Sequence, residues 1–530
     1  MKKWSVVIIL AFASFVMVLD STVMNVSIST VVKDLDTSVT AMQAAITFYT
    51  LTMAAFMLLG GKLGDIWGRK RALLIGSVIY ACGSLITAVS QNFTQLFIGW
   101  SIIEGLGAVL VVPAIAALIA TNYKGTDRVK AYAVIGGVSG AAAAAGPLIG
   151  GYFTTYLSWR YVFAGEVLIM AFVLIFSKYI KDSELKVKAP KIDIPSFLLS
   201  ASGLVLVVFG MLQSKTWGWV EPRAIPTING NEIAPLGISI VAYLIALGIL
   251  VLHRFYLREQ RLEAENKNPL LKVSMFKIPQ LRSGVAVLLA QYLIVGAVFF
   301  VIPVYLQMTL GMDALQTGLK ILPLSIALII SSVVGARLVT TWSPKKIIRI
   351  GQYALVVGVL LLMASIDIEL KSGFFALGMF VIGGGLGLLA SQIGNVNMSA
   401  VTEKETSEVG GLQGVFQNMG SALGTALIGS MLVGALTTSF VSNVQASTLP
   451  QDVKNYVTTN SQAGVQIVSV SDVSTYAESK GLSTTEADET AQIYAESQIT
   501  ALKQALFGLL IISTFTIVFS RNIPDKIIKK

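Results

Sequence analysis

Fourteen apolar runs of roughly 18–25 residues, separated by polar breaks, constrain this chain more than any other feature. A run of that length spans a bilayer's hydrocarbon core when wound as an α-helix, which satisfies its own backbone hydrogen bonds in lipid. Of the 530 residues, 54% are hydrophobic and only 13% are charged. A soluble chain carries about 25% charged residues. The mean hydropathy, +0.74, agrees. The first run, 5–28, follows Lys2 and Lys3 as a signal peptide would. It is too long for one, lacks a clear small-x-small cleavage site and contains Asp20, so it is expected to remain as the first span. The expected class is an all-α membrane protein.

Other classes are excluded by simple counts. One cysteine, Cys82, permits no internal disulfide, and one histidine, His253, leaves little scope for zinc, haem or a histidine relay. No metal or cofactor is expected. The net charge of +10 fits basic loops lying on anionic lipid, not nucleic acid. Lysine and arginine crowd into alternate loops, and the positive-inside rule then places both termini in the cytoplasm. No G-x-x-x-x-G-K-[ST] loop is present, so ATP is not the expected energy source.

Between the second and third runs lies Gly61-Lys62-Leu63-Gly64-Asp65-Ile66-Trp67-Gly68-Arg69-Lys70-Arg71. Two long apolar runs joined by so short a link make a helical hairpin in the membrane. The glycines allow close approach, Asp65 can pair with a neighbouring cation or a helix start, and the basic residues hold the loop at the inner face. The string resembles the signature loop between helices 2 and 3 of the major facilitator superfamily. The resemblance implies a gating loop formed by Gly61, Asp65, Gly68, Arg69 and Lys70.

The chain also repeats itself. Gly60, Lys62, Leu63, Trp67, Lys70 and Arg71 find counterparts in Gly335, Arg337, Leu338, Trp342, Lys345 and Lys346. The second copy has Thr340 in place of the acid and Pro344 in place of Arg69. The expected organisation is an N-terminal six-helix bundle (1–178) and a C-terminal one (284–530), with two additional spans and basic linkers between them (179–283). Parallel halves of this kind suit alternating access. The polar stretch 437–499 is expected as an extracellular loop, either plainly solvated or acting as a cap over the exit.

Acids inside spans are costly unless they face a cavity or a partner. Asp20 stands in Leu19-Asp20-Ser21-Thr22-Val23-Met24-Asn25-Val26. This string resembles the first-span motif of the fourteen-span drug:proton antiporters of that superfamily, which implies that Asp20, with Asn25 nearby, serves proton coupling and recognition of cations. Glu104 stands in Trp100-Ser101-Ile102-Ile103-Glu104-Gly105. The family usually has arginine at the place of Ser101 and glutamine at that of Glu104, so the pattern is altered here. By helical rise Asp20 and Glu104 lie at similar depth, where two carboxyls would compete for protons. Glu166, near the outer end of the sixth run, reads more readily as a partner of Arg160 or a snorkelling acid than as a transport residue. Gly146-Pro147-Leu148-Ile149-Gly150-Gly151 resembles the antiporter motif of exporters, although close helix packing alone explains such glycines.

The sum is a fourteen-span major facilitator protein of the cytoplasmic membrane, expected as a monomer and not an enzyme. Its expected work is proton-coupled export of amphipathic, cationic drugs or toxic compounds. The alternatives are a flippase or exporter for a lipid-linked or anionic metabolite, and a non-transporting sensor or scaffold.

Overall fold

The computed structural model describes residues 4–182, 192–228, 231–267, 269–401, 406–461 and 464–525. The six helices of the first half are α1 (Ser5–Val26), α2 (Val39–Trp67), α3 (Arg69–Ala88), α4 (Phe93–Asn122), α5 (Gly125–Tyr156) and α6 (Arg160–Phe176). Then come α7 (Ile194–Trp217) and α8 (Ile240–Ala264). The last six are α9 (Pro279–Val304), α10 (Ala314–Leu338), α11 (Pro344–Ser365), α12 (Ser372–Met398), α13 (Thr406–Ala446) and α14 (Thr484–Phe519). Thirteen are long and apolar enough to cross a membrane as they stand. The other, α5, qualifies across a 42° bend between Val134–Ala143 and Ala145–Tyr156. Among the described residues the only ladder is a two-residue pair, Thr227–Ile228 with Asn231–Glu232.

The chain starts and stops its helices by local chemistry. The Ser38 hydroxyl caps α2 by accepting from Ala41 N–H at 3.1 Å, and Asp313 with Gln316 forms a reciprocal capping box at α10. In α4, Phe97–Glu104 is wound as a π-helix, a form that is rare and frequent at functional sites.

The helices α1–α6 pack mainly among themselves, as do α9–α14. The two groups meet where α2 lies on α13 and α5 on α10. Hydrogen bonds join the two groups at the end opposite the α2–α3 loop. There Gln307 Oε1 accepts from Ser29 N–H (2.9 Å) and its Nε2 donates to Val26 O (3.0 Å). Gln43 Nε2 donates to Thr425 O at 3.0 Å, and Thr155 Oγ1 accepts from Leu315 N–H at 3.1 Å. The molecule is therefore closed at that end.

The pair α7–α8 packs through small residues: a Cβ on Gly248 would sit 2.9 Å from Gly203 O. Arg258 clamps Asp193, the cap of α7, with two bonds of 2.7 and 2.8 Å. That guanidinium holds the Asp193 carboxyl well below the usual carboxylate range. The pair leans on α13 and α2 through α7.

The stretch 437–499 is not an irregular loop. α13 runs on to Ala446, helices Gln451–Asn460 and Val470–Ser479 follow, and α14 begins at Thr484. Tyr494, 2% exposed, donates to Gln466 O (2.7 Å) and accepts from Val468 N–H (3.0 Å). Ile467 is buried in the same packing. The segment is polar because its helices are amphipathic, with one face on α13 and α14.

Candidate functional site

α1, α4 and α6 bring Asp20, Glu104 and Glu166 together. One carboxylate oxygen from each lies within 4.8 Å of the others. None of the three is more than 1% exposed. Trp100, which stacks on Tyr49 at 5.0 Å, donates its indole N–H to Asp20 Oδ1 at 2.9 Å. Tyr80 and Ser84, on α3, donate to Glu166 Oε2 at 3.3 and 3.2 Å. Four carboxylate oxygens have no hydrogen-bond partner: Asp20 Oδ2, both of Glu104, and Glu166 Oε1. The Tyr49 hydroxyl, also buried, adjoins Asp20. Among the described residues no lysine or arginine pairs with the cluster.

Three ionised carboxylates cannot share a dry site without a cation, because each would be both desolvated and repelled. Such a cluster holds protons or a positive ligand. At the same depth on α4 the Ser101 hydroxyl donates to Ala45 O at 2.8 Å, tying α4 to α2. The walls α3 and α6 pack chiefly within the first group, so the acids lie behind α1 and α4, away from the second group.

Glu166 does not pair with Arg160, contrary to the expectation from sequence. Arg160 reaches instead to Asp34 and to Ser90 O, and its guanidinium lies 4.5 Å from the centre of the Trp159 ring. The acid points inward, the arginine toward the helix ends, and the first turn of α6 separates them. Asn25, buried on α1, donates to Ser21 O in its own helix at 2.8 Å and not to the carboxyls. The cluster's other members, Tyr49, Tyr80, Ser84 and Trp100, escaped the sequence reading. A polar-tipped aromatic in an apolar run looks like core, and only helix phase relative to the acids could have marked them.

The α2–α3 loop is compact. Asp65 pairs with Arg69 one turn on, and Arg69 is 7% exposed. Gly68 takes φ +95°, a conformation that favours glycine, and a Cβ there would lie 2.7 Å from Asp182 Oδ2. Asp182, beyond α6, accepts from Lys70 N–H at 3.0 Å with its other oxygen. Gly61 has open space where its Cβ would stand.

The glycines of α5 form a junction of three helices. A Cβ on Gly146 would fall 1.8 Å from Thr22 Oγ1 of α1, and one on Gly150 2.9 Å from Val23 Cγ1. On the other side a Cβ on Gly151 would meet Ala314 O of α10 at 2.7 Å. Pro147 offers its carbonyl to the same helix, 2.4 Å from where a Cβ of Gly318 would be. Helix α5 thus touches the acid-bearing α1 and the opposing group within a few residues.

A model of the family described as Major Facilitator Superfamily matches residues 10–425. The puromycin resistance protein of Streptomyces alboniger is 29% identical over 82% of this chain and 82% of its own. The tetracenomycin C resistance and export protein of Streptomyces glaucescens is 26% identical over 85% and 80%. Among solved structures, a bacterial homologue of the human lysosomal transporter Spinster, inward-facing and unoccupied, superposes with a TM-score of 0.60. It covers 98% of this chain and 97% of that one at 12% identity, which speaks for the fold alone.

Proposed function

Because the chain belongs to the major facilitator superfamily, it is a multi-pass transporter of the cell membrane, not an enzyme, and we propose that it exports amphipathic, cationic drugs or toxic compounds in exchange for protons. The observation that carries this reading is the sealed cluster of Asp20, Glu104 and Glu166, with no cationic side chain to balance it among the described residues. Relatives whose names record antibiotic resistance and export support drugs as the cargo.

In this scheme the carboxyls hold protons while the site is dry. A cationic drug entering between the two helix groups favours their ionised forms, so drug and proton compete through charge. α1 and α4 carry two of the acids and separate the cluster from the second group, so they transmit that competition. Alternating access rocks α1–α6 against α9–α14, with the Asp65–Arg69 loop latching one state and the α5 junction serving as the contact that slides. The protein works as a monomer with both termini in the cytoplasm. The closed end, marked by Gln307 and Gln43, is then the outer one.

The test is proton release on adding a dicationic ligand to purified protein in weak buffer, from about pH 5 to pH 9. Wild type should release protons over part of that range, and Asp20→Asn should release fewer. Equal release by both proteins at every pH would overturn carboxylate exchange.

A further inference from the structure

We propose that a cleft between α2, α4 and α7 binds an anionic amphiphile, its head group on Lys215 and its chain against a wall of phenylalanines. The cleft lies at the closed end and measures about 390 Å³, within the range of small-molecule sites. Phe48, Phe93, Phe97 and Phe209 line it, with Phe48 edge-on to Phe97 (5.4 Å) and to Phe209 (6.5 Å). Lys215 lies at one side and is only 8% exposed.

Lys215 is what gives the cleft a sign. Its Nζ donates to Gln43 Oε1 at 2.9 Å, and Gln43 uses its amide nitrogen on Thr425 O. An ammonium has three donors. Among the described residues Gln43 is its one hydrogen-bond acceptor, and no carboxylate pairs with it. The last turn of α7 favours a cation there but leaves the remaining donors unmet. A buried cation with unmet donors is costly unless an anion completes it. Ser38, Thr40 and Gln213 add polar groups to the lining, which suits a charged head group. The aromatic wall suits an acyl or alkyl chain, and the charge selects against cationic amphiphiles. This site is separate from the acidic cluster, and it stands or falls independently of proton exchange.

The experiment uses the full chain in phosphatidylcholine nanodiscs with a dansyl-labelled undecanoate as probe. Saturable binding should be competed by laurate and not by dodecyltrimethylammonium. Lys215→Met should weaken it about tenfold or more, the cost of one charged hydrogen bond, while Lys215→Arg keeps it within a few-fold. Phe209→Ala should weaken it with the head-group preference intact. Displacement by phosphatidylglycerol makes the leaflet lipid the source, and displacement by laurate alone makes it a free carboxylate amphiphile; either supports the site. Equal binding by a folded Lys215→Met, or equal competition by the cationic amphiphile, overturns it. The wild-type competition decides the sign of the site even if a variant fails to fold.

Discussion

Asp182 and Asp525 hold matching positions in the two halves of the molecule. Each follows the last helix of its half and closes the start of that half's third helix. Asp182 accepts from Lys70 N–H at the first turn of α3, and Asp525 accepts from the hydroxyl of Ser343, the cap of α11, at 2.8 Å. Beside Asp525, Pro524 O accepts from Lys345 N–H at 3.3 Å. Ile180 and Ile523 are each 2% exposed two residues before their aspartates. The second copy of the loop has lost its own acid, yet the tie from the end of the half persists.

Asp182→Ala should therefore cost about 0.5–2 kcal/mol as a lost helix cap. Asp182→Asn, which keeps an acceptor, should cost less. Thermal unfolding of the purified variants checks both, and identical midpoints for wild type and Asp182→Ala would remove the tie from the account.

Arg69→Ala and Asp65→Asn should each abolish drug efflux while leaving drug affinity within a few-fold. The motive is distance: the Asp65–Arg69 pair sits at the helix ends, whereas the acids lie within the spans. Efflux from loaded vesicles and equilibrium binding are measured side by side. A variant that loses binding while still switching access would place this loop in the binding site.

Among the cluster acids, Asp20→Asn, Glu104→Gln and Glu166→Gln should be non-additive in the proposed exchange, because one carboxylate oxygen from each lies within 4.8 Å of the others. The double variant Asp20→Asn/Glu104→Gln should release as many protons as the worse single one, the second substitution adding no further loss. The readout is the proton count per dication bound. Strict additivity over all pairs would show three independent sites.

Gln307→Leu removes both hydrogen bonds that join Gln307 to the Val26–Ser29 turn. The expected loss is about 1–3 kcal/mol, a shift of roughly 5- to 150-fold away from the closed arrangement at that end. Alkylation of Thr155→Cys in a Cys82→Ser background, with a membrane-impermeant reagent, should quicken by a comparable factor. An unchanged rate would mean that other contacts hold this end shut.

Replacing residues 447–482 by a short Gly/Ser linker should lower the unfolding midpoint, since Tyr494 loses its hydrogen bonds to Gln466 and Val468 and the buried Ile467 leaves the packing. An unaltered midpoint with altered transport kinetics would restore the simple cap.

What was legible in the sequence followed from periodicity and length. The fourteen apolar runs became fourteen helices because lipid leaves the backbone no alternative. Asp20 and Glu104 stood out because an acid in an apolar run is anomalous by itself. The pairing of Glu166 with Arg160 fails because distance along one helix says nothing about which way the side chain turns. Tyr80 and Ser84 sit on a third helix, and nothing along the chain shows that α3 and α6 face each other there. The folded segment after α13 was missed because a serine- and threonine-rich composition hides amphipathic helices whose apolar faces are short.

That no cation pairs with the three carboxyls among the described residues has an electrical consequence. Each proton that leaves the cluster leaves one negative charge inside the membrane's own field, where a charge crossing the full potential is worth about 2.3 kcal/mol per 100 mV. A dication replacing two protons would leave the loaded and unloaded protein equally charged. A monocation replacing two would not, and the membrane voltage would then drive the two cargoes to different extents.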